Sequence, residues 1–114
     1  MVLGLSQIQA AAAAIPQTKD LDVAELGGVI RIRRLDAEQC VAMAPQLESD
    51  RVGAMYAAWW CCCIDADGGQ VFGSVEQVKA LGLPFGVVAQ VFAEIAELSG
   101  LLANDEVRAR AKNC

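Results

Sequence analysis

The chain has 114 residues, a formal net charge of -5 and no histidine. This length fits one small domain with a single hydrophobic core. The negative charge argues against nucleic-acid binding, because an overall attraction for backbone phosphates is missing. Without histidine the chain lacks the usual base for an activated nucleophile and a preferred zinc ligand.

Two apolar segments need to be distinguished from targeting or membrane elements. Residues 5–15 are apolar and alanine-rich, but no basic region precedes them as it would in a secretory signal. The run Val52–Ile64 is shorter than the ~20 residues that a membrane-spanning helix needs. The sequence therefore predicts a soluble, cytosolic protein with no membrane partner.

The first predicted helix runs from Ser6 to about Ala14 and ends before Pro16. Ser6 and Gln9 have the spacing of a capping box, and the residue before a proline is disfavoured in the α region. Residues 1–17, which hold this helix and a linker, are the expected mobile N-terminal end of the domain.

Residues 20–24 and 29–33 alternate with period two and predict a β-hairpin around the loop Glu25–Gly28. The expected register pairs Leu21 with Ile32, Val23 with Ile30, Asp20 with Arg33 and Asp22 with Arg31. Apolar pairs on one face and opposite charges on the other both favour this register. A lone hairpin is marginal in water, so its apolar face should lie on a helix or its edge should pair with another subunit.

Two further helices are predicted between residues 36 and 64. One begins at Asp36, which is a good N-cap with Gln39 three residues later, and ends at Pro45. The next runs from about Ser49 or Asp50 to Ile64 and is apolar on nearly every side, which is typical of a buried helix.

An acidic turn at residues 65–69 follows, after which Val71 and Phe72 are expected to enter the core. A fourth helix spans Ser74 to about Leu81, with Gln77 completing a capping box and Gly82 ending it.

The fifth helix begins at Pro84 and ends at Gly100. Its predicted apolar stripe is formed by Phe85, Val88, Phe92 and Ile95, flanked by Val91 and Leu98. A last short helix from Asn104 would lie in the tail 103–114, which we expect to fray.

The predicted fold class is therefore mainly α. We expect residues 1–114 to form one small helical domain of about five short helices, with one N-terminal β-hairpin at about residues 20–33.

Asp65 and its neighbours have some features of a calcium loop. Counted from Asp65, the twelfth position is Glu76, as an EF-hand requires, but Gln70 occupies the sixth position, where glycine is needed. We therefore interpret the segment as a turn in which Asp67 and the glycines supply the bend.

Five cysteines are present: Cys40, Cys61, Cys62, Cys63 and Cys114. There is no C-x-x-C pair, and the odd number does not fit a disulfide framework. Cys61 to Cys63 are predicted inside an apolar helix, where thiolates are disfavoured. We expect small buried side chains, a terminal thiol at Cys114 that is exposed, and neither an enzyme nor a cofactor site.

Three segments together resemble the tail assembly chaperones of long-tailed phages and prophages. They are residues 26–39 (LGGVIRIRRL followed by DAEQ), residues 64–72 (IDADGGQVF) and residues 91–101 (VFAEIAELSGL). The middle segment, an Asp-x-Asp-Gly turn between an apolar helix and a capped helix, is the most specific of the three.

The resemblance implies a function in holding another protein. Members of this family bind the long, helical tape measure protein, and many copies leave as tail tube subunits arrive. By this resemblance the chain self-associates, has the tape measure protein and the tail tube subunit as partners, and acts in the cytoplasm of the bacterial host. It would be absent from the mature virion, and it would be the short form where a frameshifted longer one exists.

Candidate residues for a partner-binding or self-association surface are Arg31, Arg33, Arg34, Trp59, Phe85 and Phe92. The three arginines form the tightest basic cluster, although pairing with aspartates across the hairpin also explains two of them. Two other functions remain open: a structural tail or neck component that stays in the virion, and a small thiol-redox protein built on Cys61 to Cys63.

Overall fold

The computed structural model describes residues 2–101. Its elements, in chain order, are α1 (Leu5–Ala14), β1 (Thr18–Val23), β2 (Gly28–Arg33), α2 (Ala37–Ser49), α3 (Arg51–Cys62), β3 (Cys63–Ile64), α4 (Val75–Ala80) and α5 (Phe85–Leu98). The predicted fold class is confirmed: the domain is mainly α, and it has an N-terminal hairpin.

The sheet has three strands rather than the two of the predicted hairpin, in the order β1-β2-β3 and antiparallel throughout. Its first register pairs Asp20 with Arg31 and Leu21 with Ile30, whereas the sequence predicted Arg33 and Ile32 as their partners. The shift is two residues. Because side chains alternate with period two, such a shift leaves every residue on its predicted face, and the hydrophobic pattern could not detect it.

The turn between β1 and β2 determines the register. It is a single 3-10 turn, Ala24–Leu26, followed by Gly27 at φ 71°. A positive φ suits glycine, which has no Cβ to clash. The connection is therefore residues 24–27, one position earlier than predicted.

The core lies between the sheet, α3 and α5. Val23 and Ile32 from the hairpin are fully buried, as are Val91 and Ile95 on α5. The apolar face of the hairpin therefore lies on helix α5, which is one of the two arrangements expected from the sequence. Trp59 is the largest buried side chain, and its Nε1 donates a hydrogen bond of 3.1 Å to the Val88 carbonyl oxygen.

Two of the N-caps predicted for the helices after the hairpin are confirmed. The Asp36 side chain accepts from the Gln39 amide, and the Ser74 side chain accepts from the Gln77 amide. The Gln77 side chain reaches the amide of Gly73 rather than that of Ser74. Asp50 also caps α3, by accepting from the Gly53 amide at 3.0 Å.

The predicted cap at Ser6 is wrong. Helix α1 begins at Leu5 with Gly4 as its N-cap residue, and the Gln7 side chain accepts from the Gly4 amide at 2.8 Å. Leu5 and Ser6 are already in helical conformation. The Ser6 hydroxyl therefore lies inside the first turn and does not cap the helix.

The predicted end of the second helix at Pro45 is also wrong, because α2 continues to Ser49 with Pro45 inside it. An internal proline costs a helix about 3 kcal/mol. Met43 is buried and Leu47 packs against the core, so continuing the helix past Pro45 lets a second apolar residue on that side reach the core.

Helix α3 ends at Cys62 rather than at Ile64. Cys63 has extended backbone angles, and Cys63–Ile64 form strand β3, whose partners on β2 are Ile32 and Arg31. The third cysteine is therefore in the sheet and not in the helix. Pairing with the free edge of β2 explains this change, since that edge would otherwise leave backbone groups without partners.

Two expectations about apolar residues are wrong. Val71 is exposed, and only the half-buried Phe72 turns inward, with its ring centroid 6.5 Å from that of Trp59. Phe85 is 61% exposed although it lies on the same side of α5 as the buried Phe92 and Ala96, since it is the first residue of the helix.

Every described residue from 2 to 20 is exposed, and α1 contributes no buried residue. None of the helices formed by residues 2–101 is both long and apolar enough to cross a membrane. The predicted helix from Asn104 and the fraying tail 103–114 fall outside the described residues.

Candidate binding groove

An open apolar groove of about 460 Å³ lies between the hairpin and the segment that joins β3 to α5. Its apolar walls are formed by Leu26, Val29, Val71, Phe72, Leu81 and Leu83. The indole of Trp59 also lines the groove, although almost all of its surface is buried. The groove is therefore a shallow extension of the hydrophobic core to the surface.

Four of these residues are both exposed and apolar: Leu26, Val29, Val71 and Leu81. They come from the hairpin turn, strand β2, the loop after β3 and the end of α4, so the fold brings together residues that are far apart in sequence. Contiguous exposed apolar residues of this kind mark interaction surfaces more often than single ones do.

The acidic turn forms one end of the groove, where Asp65 and Ala66 line it. One oxygen of the Asp65 carboxylate accepts hydrogen bonds of 2.9 Å from the amides of Asp67 and Gly69. Gly68 has φ 85°, which completes the bend. Asp65, rather than the predicted Asp67, therefore supplies the side chain that closes this turn.

The described residues contain no group of three acidic, cysteine or histidine side chains arranged to hold a metal ion. The Asp65 carboxylate is engaged by backbone amides of its own turn, which is a structural role.

The charged residues at the hairpin side of the groove form an ion pair. Arg31 donates from Nε to Asp20 Oδ1 at 2.7 Å and from its second terminal nitrogen to Asp20 Oδ2 at 3.2 Å. This bidentate pairing raises the pKa of Arg31 and lowers the pKa of Asp20 from its ordinary value. Because both residues already have partners, the groove offers an incoming molecule little free charge.

The three candidate arginines do not form one patch. Arg31 lines the groove, whereas Arg33 and Arg34 line a separate depression beside Thr18 and Asp36. Arg33 donates to the Arg34 carbonyl oxygen at 3.0 Å, so its guanidinium is partly held by a local backbone contact.

The three candidate aromatic residues are also separated. Trp59 and Phe92 are core residues, with 1% and 6% of their surfaces exposed, and only Phe85 is well exposed. Trp59 contributes to the inner wall of the groove, Phe92 does not line it, and Phe85 lies outside it. The aromatic candidates therefore have different positions: inner wall, core and surface.

Four groove residues were not predicted from the sequence: Leu26, Val29, Val71 and Leu81. One signal for this surface was present in the hairpin: Val29 shares the outward face of β2 with Arg31, where a polar residue is expected. Val71 and Leu81 carried no comparable signal, because both were assigned to structural positions.

The four cysteines of the described residues are poor redox groups. Burial raises the pKa of the Cys62 and Cys63 thiols from 9.0 to about 12, and it also raises the pKa values of Cys40 and Cys61. Since the thiolate is the reactive form, burial suppresses disulfide exchange at these positions.

No protein-family model matches the chain, and no curated protein matches it either. Among solved structures, the tail assembly chaperone of bacteriophage HK97 is similar, with a TM-score of 0.57 and 20% sequence identity. The match covers 82% of this chain and 95% of the HK97 chain. The chain therefore has a fold like that of a phage tail assembly chaperone, as the resemblance of its motifs implied.

Proposed function

We propose that this protein is a phage tail assembly chaperone that binds the tape measure protein and keeps it soluble until the tail tube polymerises. The observation that carries the proposal is the fold, which is similar to the HK97 chaperone over 82% of this chain. The role is non-enzymatic, because binding a helical protein requires surface and no reacting groups.

The groove supports this function physically. A helical segment can bind by placing an apolar stripe in a groove of this kind, with side chains spaced at i, i+3, i+4 and i+7. The groove is small, so one such contact is weak. Many copies along one long partner would add avidity, which suits a chaperone that must later be displaced.

Arg31 and Phe85 extend the proposed surface. Arg31 stands at the hairpin side of the groove and Phe85 is exposed at the first turn of α5. Arg33 and Arg34, at the separate depression, are candidates for contacts with a tail tube subunit or a second copy. The protein would act in the host cytoplasm and leave before the virion is complete.

Co-expression with the tape measure protein of the same phage or prophage, followed by pull-down, tests the proposal. We expect the wild-type protein to keep the tape measure protein soluble and to co-purify with it. Val29→Lys places a charge in the groove and should reduce recovery by at least about tenfold. Val41→Lys, at an exposed valine of α2 outside the groove, is the matched control and should bind normally.

If the tape measure protein is soluble by itself and never co-purifies, the proposed function is wrong. Mass spectrometry of purified particles separates a chaperone from a structural tail or neck component. A chaperone should be absent from the particles, whereas a structural component would be present in a fixed copy number.

A further inference from the structure

Helix α1 is an apolar helix that has no extensive packing contact with the other elements of the described chain. It contributes no buried residue, and Ile8 at its centre is 51% exposed. Leu5, Ile8 and Ala12 lie at i, i+3 and i+7 and form one apolar face, which Ile15 continues just beyond the helix. This face has the spacing of a helix that binds in a groove.

Isolated helices shorter than about 12–15 residues are marginal in water, because nucleation is unfavourable. Helix α1 has 10 residues, no charged residue in its first or last turn, and no side-chain hydrogen bond from its N-cap residue. Its stability must therefore come from packing against a surface that the described residues 2–101 of the same chain do not provide.

The charge pattern indicates which surface. Residues 1–18 contain no Asp, Glu, Lys or Arg, although 20% of the whole chain is charged. The groove matches such a ligand, because Arg31 is paired with Asp20 and the Asp65 carboxylate is engaged by backbone amides. An uncharged helix would leave these pairs intact and bury the exposed apolar residues of the groove.

We propose that the groove binds helix α1 of a second copy of this chain. The contact is heterologous: the helix is the ligand in one copy, and the groove is the receptor in the other. This inference goes beyond the proposed function, because it gives the self-association expected from the sequence two defined surfaces. It also places the second copy and the tape measure protein at the same groove, where they compete.

The connection between α1 and β1 favours a second copy over the helix's own groove. Only Ile15, Pro16 and Gln17 join Ala14 to Thr18, and they span at most about 11 Å. Thr18 is at one end of the hairpin, whereas Leu26 and Val29 of the groove are at the other end. In the structure the helix does not turn back toward them.

Four point variants of the full chain test the proposal by analytical ultracentrifugation. Ile8→Lys puts a charge on the apolar face of α1, and Val29→Lys puts one in the groove opposite Asp22, where it is tolerated by the hairpin. Each should weaken self-association at least about tenfold. The matched controls are Ser6→Lys, on the opposite face of α1, and Val41→Lys, on α2; both should associate like the wild type.

Mixing the two impaired variants gives the sharper result. Ile8→Lys keeps an intact groove and Val29→Lys keeps an intact helix, so each can supply what the other lacks. We expect the mixture to form one-to-one pairs that do not grow further. Circular dichroism spectra like that of the wild type would establish that both variants are folded.

A wild-type chain that stays monomeric would overturn the inference, as would a Val29→Lys variant that associates normally. A mixture that fails to pair would also overturn it, because the two substitutions would then act at unrelated places. These outcomes are separable from the proposed function: a monomeric chain that still retains the tape measure protein contradicts this inference alone. A chain that self-associates as described but never retains that protein contradicts the proposed function alone.

Discussion

Helices α1 and α3 are both apolar but have opposite environments. Both are short and strongly apolar, with 10 and 12 residues respectively. Helix α3 buries Ala54, Met55, Ala58, Trp59 and Cys62, whereas α1 buries nothing. Apolar composition alone therefore does not decide burial. Helix α3 lies between α2, α4 and α5, while α1 is separated from the core by the linker before β1.

The largest expected difference between the two helices is the cost of truncating a large side chain. Trp59→Ala should lower the free energy of unfolding by about 3–5 kcal/mol, because it leaves a cavity and removes the hydrogen bond to Val88. Leu5→Ala on α1 should change it by at most about 0.5 kcal/mol. Urea denaturation of dilute protein, where the monomer prevails, measures both values.

Equal losses for Trp59→Ala and Leu5→Ala would contradict the comparison, since they would show that α1 is packed within the monomer.

The second expected difference is the pH dependence of stability. The pKa values of Cys62 and Cys63, at the end of α3 and in β3, are raised to about 12 in the folded chain from 9.0. Below pH 9 the thiols are protonated in both states and their contribution to stability is complete. Between pH 9 and 12 only the unfolded state loses these protons, so the free energy of unfolding falls by up to about 1.4 kcal/mol per pH unit for each thiol.

Chemical denaturation between pH 8 and 10.5 measures this slope. The double variant Cys62→Ala/Cys63→Ala should be less stable but should have a shallower slope over the same interval. An unchanged slope in the double variant would show that other groups control the alkaline transition. Ile8→Lys on α1 should leave the slope as it is in the wild type.

The smallest expected difference concerns the helix starts. Asp50→Ala removes the hydrogen bond to the Gly53 amide at the start of α3 and should cost about 1 kcal/mol. Ser6→Ala should have almost no effect, because Gly4 is the N-cap residue of α1. Thermal unfolding of the two variants and of the wild type measures both effects. A larger loss of stability for Ser6→Ala than for Asp50→Ala would show that Ser6 caps α1 after all, as the sequence predicted.

Local signals in the sequence predicted many of the helix starts. Asp36 and Ser74 cap the helices they were expected to cap, and Gly82 has φ 62° after the end of α4. These features depend on a few neighbouring residues, so a pattern is enough. The predicted cap at Ser6 was wrong because Gly4, two residues earlier, is an equally acceptable N-cap residue. The Gln7 side chain accepts a hydrogen bond from its amide.

Features that depend on distant contacts were not predictable. The hairpin register differs by two residues, which the alternation of apolar and polar residues cannot detect. Strand β3 exists because β2 has a free edge beside the end of α3, and no local propensity indicates it. Helix α2 passes through Pro45 because tertiary packing outweighs a local penalty.

The candidate site was predictable only in part. Arg31 and Trp59 were both chosen from the sequence, and both line the groove. Phe85 and Phe92 were chosen as members of one stripe, but Phe85 is the first residue of α5 and is exposed, whereas Phe92 is in the middle of the helix and is buried. Val71 and Leu81 belong to the groove because loops and helix ends converge there, which is a property of the tertiary structure.

The direct passage from α3 into β3 at Cys63 has a consequence for how the chain tolerates changes in length. Helix α3 ends at Cys62 and strand β3 begins at Cys63, with no linker between them. One added residue there would rotate the end of the helix or displace Ile64 from its partner Arg31. The segment 15–17 is exposed and joins α1 to the hairpin with no buried contact. Insertions and spectroscopic labels therefore belong in the linker beside Pro16, outside the apolar face of α1, while the junction at Cys63 should retain its length in every variant of this protein.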